Sequence, residues 1–259
     1  SAYVFTRSNG VWAQQAKLTA NNGQANHNFG HSIAMEGDTL AINSYSGSTY
    51  IFVREGVFWT QQHQIAQPPS GFGSDFASTI ALSGNTLAVG NANFLANSNT
   101  VGYPRGRVII YAFSAGVWSQ QASILGPSVG YTNFGCSISL SQNTLAVGAS
   151  LEDTPQDSQG TVYIYTSNGS TWTQQARLLS SDGLADDRFG STVSLLGDTL
   201  LVGAPGDDFP QIIGSLSNQG SAYVFKRSGS SWSQFAKFSD TSGSAGDAFG
   251  SAVILAGDT

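Results

Sequence analysis

One pattern recurs five times along the chain, at intervals of roughly fifty residues, and it constrains the fold more than any other feature. Trp12, Trp59, Trp118, Trp172 and Trp232 mark the period. A Phe followed by a small residue keeps step with them: Phe29-Gly30, Phe76-Ala77, Phe134-Gly135, Phe189-Gly190 and Phe249-Gly250. Three further columns recur. One reads SAYVF (1–5), STYIF (48–52), RVIIY (107–111), TVYIY (161–165) and SAYVF (221–225). Another reads WAQQAKL, WTQQHQI, WSQQASI, WTQQARL and WSQFAKF, and the last reads TLAIN, TLAVG, TLAVG and TLLVG. Each unit must therefore fold into the same supersecondary element and bury its apolar face against its neighbours.

The local pattern of each unit is β throughout. After Phe-Gly comes a short run such as HSIAM, then a Gly-Asp, Gly-Asn or Gln-Asn pair of the kind that closes tight hairpins. The TLAVG run, a connection of variable length, the VYIY run, a turn such as Arg7-Ser8-Asn9-Gly10, and the Trp-led run follow. The second and third runs are apolar on both faces, as in Val162, Tyr163, Ile164 and Tyr165, which predicts sheets covered on both sides. The fourth run carries paired glutamines, Gln14-Gln15, Gln61-Gln62, Gln120-Gln121 and Gln174-Gln175, as suits an outer edge that must not template aggregation. Four-stranded antiparallel sheets buried against one another on both faces describe propeller blades.

With Phe-Gly heading the first run and Gly203-Ala204-Pro205 following the second, the units resemble FG-GAP repeats, those of the integrin α-chain N-terminal propeller and of many secreted propellers. The resemblance spans all five units. Phe76-Ala77 departs from Phe-Gly, Gly148-Ala149-Ser150 is a near match to Gly-Ala-Pro, and Gly90-Asn91-Ala92 and Asn43-Ser44-Tyr45 have drifted. The resemblance implies a β-propeller and a role in surface adhesion or recognition.

The expected fold is all-β: a propeller of four-stranded blades of about 50–60 residues, five in number, with one incomplete blade shared by the two termini. In this phase the chain opens with strands three and four (2–5 and 12–18), runs through blades near 29–75, 76–133, 134–188 and 189–248, and ends on a lone strand one, Phe249 to Leu255. The fifth blade then comprises 249–259 plus 1–28 and lacks its second strand, nineteen strands where twenty close a ring. The second reading is a piece of a larger protein.

Antiparallel order puts the two-to-three and four-to-one connections on one face and the tight one-to-two and three-to-four turns on the other. The long, divergent connections, Asn91 to Gly106, Ser150 to Gly160 and Pro205 to Gly220, make the first face the expected site of recognition. Candidate contacts are Phe94, Tyr103, Glu152, Asp153, Asp157, Asp207, Asp208 and Phe209. Calcium is weighed as a cofactor. The one-to-two turns are too short to supply six to eight oxygens, so the calcium loop common among FG-GAP proteins is not carried over. The acidic cluster Asp182, Asp186, Asp187, Asp207 and Asp208 is the best metal candidate, against the plainer reading of solvated turn-formers. The Phe-Gly pairs and the five tryptophans read as packing residues.

No enzyme is expected. His27, His31 and His63 form no helical metal pair, Cys136 fills a column otherwise held by His31 and serines, and the only glutamates are Glu36, Glu55 and Glu152. A net charge of −6 with ten Lys and Arg and no basic run argues against nucleic acid. No apolar stretch reaches the roughly 20 residues of a membrane span, and the opening SAYVFTRSNG lacks the charged and apolar regions of a leader. Lys is scarce, Ser, Thr and Asn abound, and Asn168-Gly169-Ser170 is a sequon, all of which favour an extracellular or cell-surface setting. The expected function is non-enzymatic adhesion or recognition of a protein or glycan. The alternatives are a lectin, or a building block of a surface assembly that self-associates through the incomplete blade.

Overall fold

The computed structural model describes residues 1–45, 47–66, 79–93, 105–128, 130–208, 218–240 and 242–257. Among them there are eighteen strands and no helix. β1 (Ala2–Ser8) and β2 (Val11–Leu18) form a two-stranded ribbon. The first sheet holds β3 (Phe29–Glu36), β4 (Thr39–Ser44), β5 (Thr49–Glu55) and β6 (Phe58–Ile65). The second holds β7 (Thr79–Ser83), β8 (Thr86–Asn91), β9 (Arg107–Ser114) and β10 (Val117–Leu125). The third holds β11 (Phe134–Ser141), β12 (Thr144–Ala149), β13 (Thr161–Ser167) and β14 (Trp172–Leu178). The fourth holds β15 (Thr192–Leu196), β16 (Thr199–Ala204), β17 (Ser221–Ser228) and β18 (Ser231–Ser239). Each four-stranded sheet is an antiparallel meander in chain order.

Burial follows the residue pattern. β12 is buried at every position and the first five residues of β13 are buried, because sheets pack on both of their faces. Successive sheets share cores: Ala146, Val162, Ile164 and Leu178 of the third pack with Phe189, Leu195, Leu200, Val202, Tyr223 and Phe225 around the fourth. Each of the valines, leucines, isoleucine and phenylalanines in this set contributes roughly 1.5–3 kcal/mol on leaving water. Equivalent cores join the first sheet to the second, the second to the third, and the β1–β2 ribbon to the first.

The opening strands of the sheets lie side by side, tied by side chains that accept backbone hydrogens from the next unit. Ser83 Oγ accepts from Gln142 N at 3.1 Å, Ser139 Oγ from Leu195 N at 2.9 Å and Ser141 Oγ from Gly197 N at 3.1 Å. The last of these ties binds Leu255 N to Ser194 Oγ at 2.8 Å, so residues 249–257 lie beside β15 as β15 lies beside β11.

Here the structure corrects the expected nineteenth strand. Residues 251–257 form no strand, and Phe249 makes only an isolated parallel bridge to Gly220. The physical reason is the lack of a partner: every other opening strand pairs with a second strand, and none lies here among the described residues.

The glutamine pairs do more than protect an edge. The register between third and fourth strands slips at one place in all five units, leaving Gln15, Gln62, Gln121, Gln175 and Phe235 as the extra residue of a bulge. The bulge turns the side chain toward the neighbouring sheet. Gln15, Gln121 and Gln175 each accept the indole hydrogen of the next unit's tryptophan, Trp59, Trp172 and Trp232, at 2.9 Å.

Close approach explains the glycine columns. Gly190 has φ near 88°, a left-handed conformation that favours glycine, and its carbonyl accepts from Ser137 Oγ of the preceding unit at 2.7 Å. A Cβ on Gly203 would lie 2.0 Å from the carbonyl oxygen of Gly250, so the second-strand glycine lets the next Phe-Gly turn seat against it. Phe134 and Phe189 are fully buried and meet Tyr163 and Tyr223 edge-on at centroid distances of 5.6 and 5.4 Å.

Candidate functional site

The connections after second and fourth strands gather on one face, where three columns of the repeat meet. A tyrosine near the start of the third strand, a base ending the fourth, and an acid four residues past the second-strand glycine come together. In the third sheet Tyr163 shares its hydroxyl hydrogen between Glu152 Oε1 and Oε2 at 2.8 and 2.9 Å, and Arg177 Nη2 donates to Oε1 at 2.7 Å. Glu152 is buried, so its charge is carried by these two partners. Burial first, and then the Glu152 charge, push the Tyr163 hydroxyl well above the usual phenol range, and the same causes push Tyr165 up to about 12.

The fourth sheet repeats the device with two acids. Tyr223 shares its hydroxyl hydrogen between Asp182 Oδ1 and Asp207 Oδ2, both at 3.0 Å, and Lys237 Nζ lies 2.8 Å from Asp182 and 2.6 Å from Asp207. Partial burial opposes ionisation of Asp182, but Lys237 and Tyr223 outweigh it and hold the carboxyl below its usual value. Asp187 differs. It is 1% exposed, one oxygen accepts from Leu184 N at 2.6 Å, and the other has no hydrogen-bond partner among the described residues. Burial pushes its carboxyl up to about 6, with the Asp207 and Asp208 charges adding to the rise and Leu184 N–H and Lys237 opposing it.

These contacts place the residues singled out in the sequence. Asp182 and Asp207 meet, but across Lys237, which supplies the positive charge a cation would have brought. Asp208 turns to Asn218 N at 2.7 Å, and Asp186 stands exposed at a turn with φ near 65°. Among the described residues, no group of three His, Cys, Asp or Glu is arranged to hold a metal ion. Of the eight candidate contacts, Glu152 and Asp207 are buried and engaged, so they brace the face instead of presenting it. Asp153 and Asp157 are exposed, and Asp153 accepts from Ser158 N at 2.8 Å. Phe94, Tyr103 and Phe209 lie outside the described residues, as do Phe76 and Ala77.

Two cavities complete the geometry. One of about 480 Å³ opens on the same face beside the four-to-one connection of the β1–β2 ribbon, lined among others by Gln24, Asn26, His27, Asn28, Ser44 and Tyr50. His27 Nδ1 is buried there without a hydrogen-bond partner among the described residues. The lining is rich in amides and hydroxyls, and sequence reasoning missed it because its residues are individually ordinary. The other, of about 330 Å³, is lined by all five opening segments: Ser32 of β3, Thr79 of β7, Ser137 of β11, Thr192 of β15 and Ser251 of the last segment. Cys136 lines it too, and burial pushes its thiol up, away from the thiolate a nucleophile needs.

No helix among the described residues is long and apolar enough to cross a membrane. A family model described as FG-GAP repeat matches residues 12–52, 118–165 and 172–225, together more than half of the chain. No curated protein matches. Among solved structures, the crystal structure of the computationally designed Ika4 protein is similar over 73% of this chain and 92% of that one, at 12% identity and a TM-score of 0.45.

Proposed function

We propose that this chain, which belongs to the FG-GAP repeat family, is a five-unit β-propeller that recognises a partner through its loop-bearing face and performs no chemistry. Support for five-fold closure comes from the 330 Å³ cavity, since one space touched by all five opening segments is what a central axis produces. Residues 249–257 and the β1–β2 ribbon then belong to one blade, whose second strand is not among the described residues. The observation that carries the functional reading is the asymmetry of the two faces. One is built from short hairpin turns, while the other holds the long connections, the braced acid–tyrosine–base sets and the amide-lined cavity. Rigid support beneath variable loops is how recognition surfaces are made.

The partner is a protein or a glycan. The amides and hydroxyls around His27 favour carbohydrate hydroxyls, which need convergent donors and acceptors. The family's usual setting, the low charge and the exposed sequon at Asn168 support an extracellular or cell-surface location. Glycan-array binding, with and without a chelator, tests the reading. Binding that is lost in Asn26→Ala or Asp153→Ala and kept in the hairpin-face variant Asn85→Ala supports it. Binding lost only in the hairpin-face variant rejects it.

A further inference from the structure

The indole-to-glutamine bond that ties neighbouring sheets is absent at one junction. Trp59, Trp172 and Trp232 each make it. Trp118 has no hydrogen-bond partner among the described residues, and Gln62 turns instead to Thr60 Oγ1 at 2.9 Å. The first and second sheets still share a core, but toward their hairpin turns a third cavity, of about 380 Å³, separates them. Ile51 and Val53 line its inner side, and the exposed Glu55 and Asn85 mark its mouth at two hairpin turns. Two departures from the repeat build its walls. His63 stands where the other units have Ala16, Ala122, Ala176 and Ala236, and Phe113 stands in the column of Arg7, Arg54, Ser167 and Arg227. Phe113 meets Trp118 at a centroid distance of 5.3 Å and His63 at 5.6 Å, so three rings from two sheets form one aromatic wall.

Charge decides what such a wall takes. Among the described residues, no Lys or Arg lines the cavity and Glu55 forms no ion pair. Glu36 reaches the rim, where its carboxylate accepts from Gly84 N. Arg54 projects from the other face of β5, held by Asp38 at 5.6 Å over the Trp59 ring. Arg227 is held likewise by Asp198 at 5.4 Å over Trp232. The repeat thus sets its own cation on this tryptophan column, and the second unit has exchanged both members of the pair, for Phe113 and Asn85. We propose that this cavity binds an organic cation, a quaternary ammonium group. Such a group brings no N–H that needs an acceptor, its methyl groups suit the apolar inner side, and its charge is drawn to ring faces and to the two glutamates. An anion would meet Glu55 and find no base. The volume falls within the roughly 300–1,000 Å³ of small-molecule sites. The inference depends only on the first two sheets and is independent of loop-face recognition.

Choline is the probe, added to the intact chain while the NMR signals of the Trp118 indole and the His63 ring are followed. Saturable shifts at both are expected. Choline's neutral isostere, with carbon in place of nitrogen, keeps the shape and should bind about tenfold more weakly. Glu55→Gln should weaken choline binding about threefold and reduce its salt dependence. Phe113→Arg returns the column's usual residue, whose guanidinium takes the cation's place, and should abolish binding. Arginine stands there in three other units, so this variant keeps its fold. Phosphatidylcholine vesicles that displace choline would place the same head group on a lipid, and vesicles that leave it bound would support a soluble cation. The loop-face variants Asn26→Ala and Asp153→Ala should bind choline unchanged, which separates this result from the functional reading. Absence of saturable shifts, equal binding of the neutral isostere, or choline binding that survives Phe113→Arg would overturn the proposal.

Discussion

Trp232 donates its indole hydrogen to Gln175 Oε1 at 2.9 Å, across the space between the third and fourth sheets. The same bond recurs from Trp59 to Gln15 and from Trp172 to Gln121. Trp232→Phe keeps an aromatic ring but removes the donor and part of the indole's packing, so it should cost at least about 1 kcal/mol in denaturant unfolding. Trp232→Phe with Trp172→Phe should cost the sum, because the two bonds share no residue.

Where this bond would join the fourth sheet to the ribbon, Phe235 takes the glutamine's place and both it and Trp12 are exposed. Phe235→Gln supplies the missing acceptor. If the ribbon and the fourth sheet are ring neighbours, the variant gains up to about 1 kcal/mol, and Trp12→Phe abolishes the gain. No gain in a calorimetric Tm would argue that the two are apart.

Gly203→Ala should destabilise by roughly 1–3 kcal/mol, since its Cβ would press on a backbone carbonyl that belongs to another unit. Gly148→Ala should behave alike, with a Cβ 2.0 Å from the Gly190 carbonyl oxygen. Equilibrium urea unfolding checks both, and a neutral result would mean the units do not approach as described.

Arg177→Met leaves the Glu152 carboxylate buried with only Tyr163 as partner. The expected loss is about 3 kcal/mol, larger than for the exposed pair Arg54–Asp38, where Arg54→Met should cost under about 1 kcal/mol. Comparable losses in the two variants would show that the buried set does not brace the face.

Asp187 gives stability a pH signature. Its folded carboxyl titrates at about 6, above its ordinary value of 3.8, so the folded state binds more protons between those limits. Its contribution is therefore fully present below pH 4 and is lost as pH rises through 6, by about 2–3 kcal/mol at roughly 1.4 kcal/mol per unit. Asp187→Asn should stabilise the chain at pH 7 and flatten its stability between pH 4 and 6. A variant that is less stable at pH 7 would contradict this.

The strands could be read from the sequence because the units repeat the same cues with few departures: Phe and a small residue, a two-residue turn, a TLAVG-type run and a tryptophan. The bulge could not, because Gln174-Gln175 looks like any polar edge until the register with Ile164 and Tyr165 is known. The acid–tyrosine–base sets were within reach. Glu152 and Asp207 both stand four residues past a second-strand glycine, but they sit at the head of connections of different length, where columns stop aligning. The lone strand from Phe249 failed for want of a partner, which local pattern does not register.

Distances between spin labels on exposed hairpin turns test the five-fold ring most directly. Cys136→Ser removes the native thiol, and labels on Asp38, Asn143 and Asp198 mark the first, third and fourth sheets. In a ring of five, the first unit is two steps from the third and two steps from the fourth, so the Asp38–Asn143 and Asp38–Asp198 distances should be equal. An Asp38–Asp198 distance clearly longer than Asp38–Asn143 would mean an open arc or a larger ring, and would contradict the account.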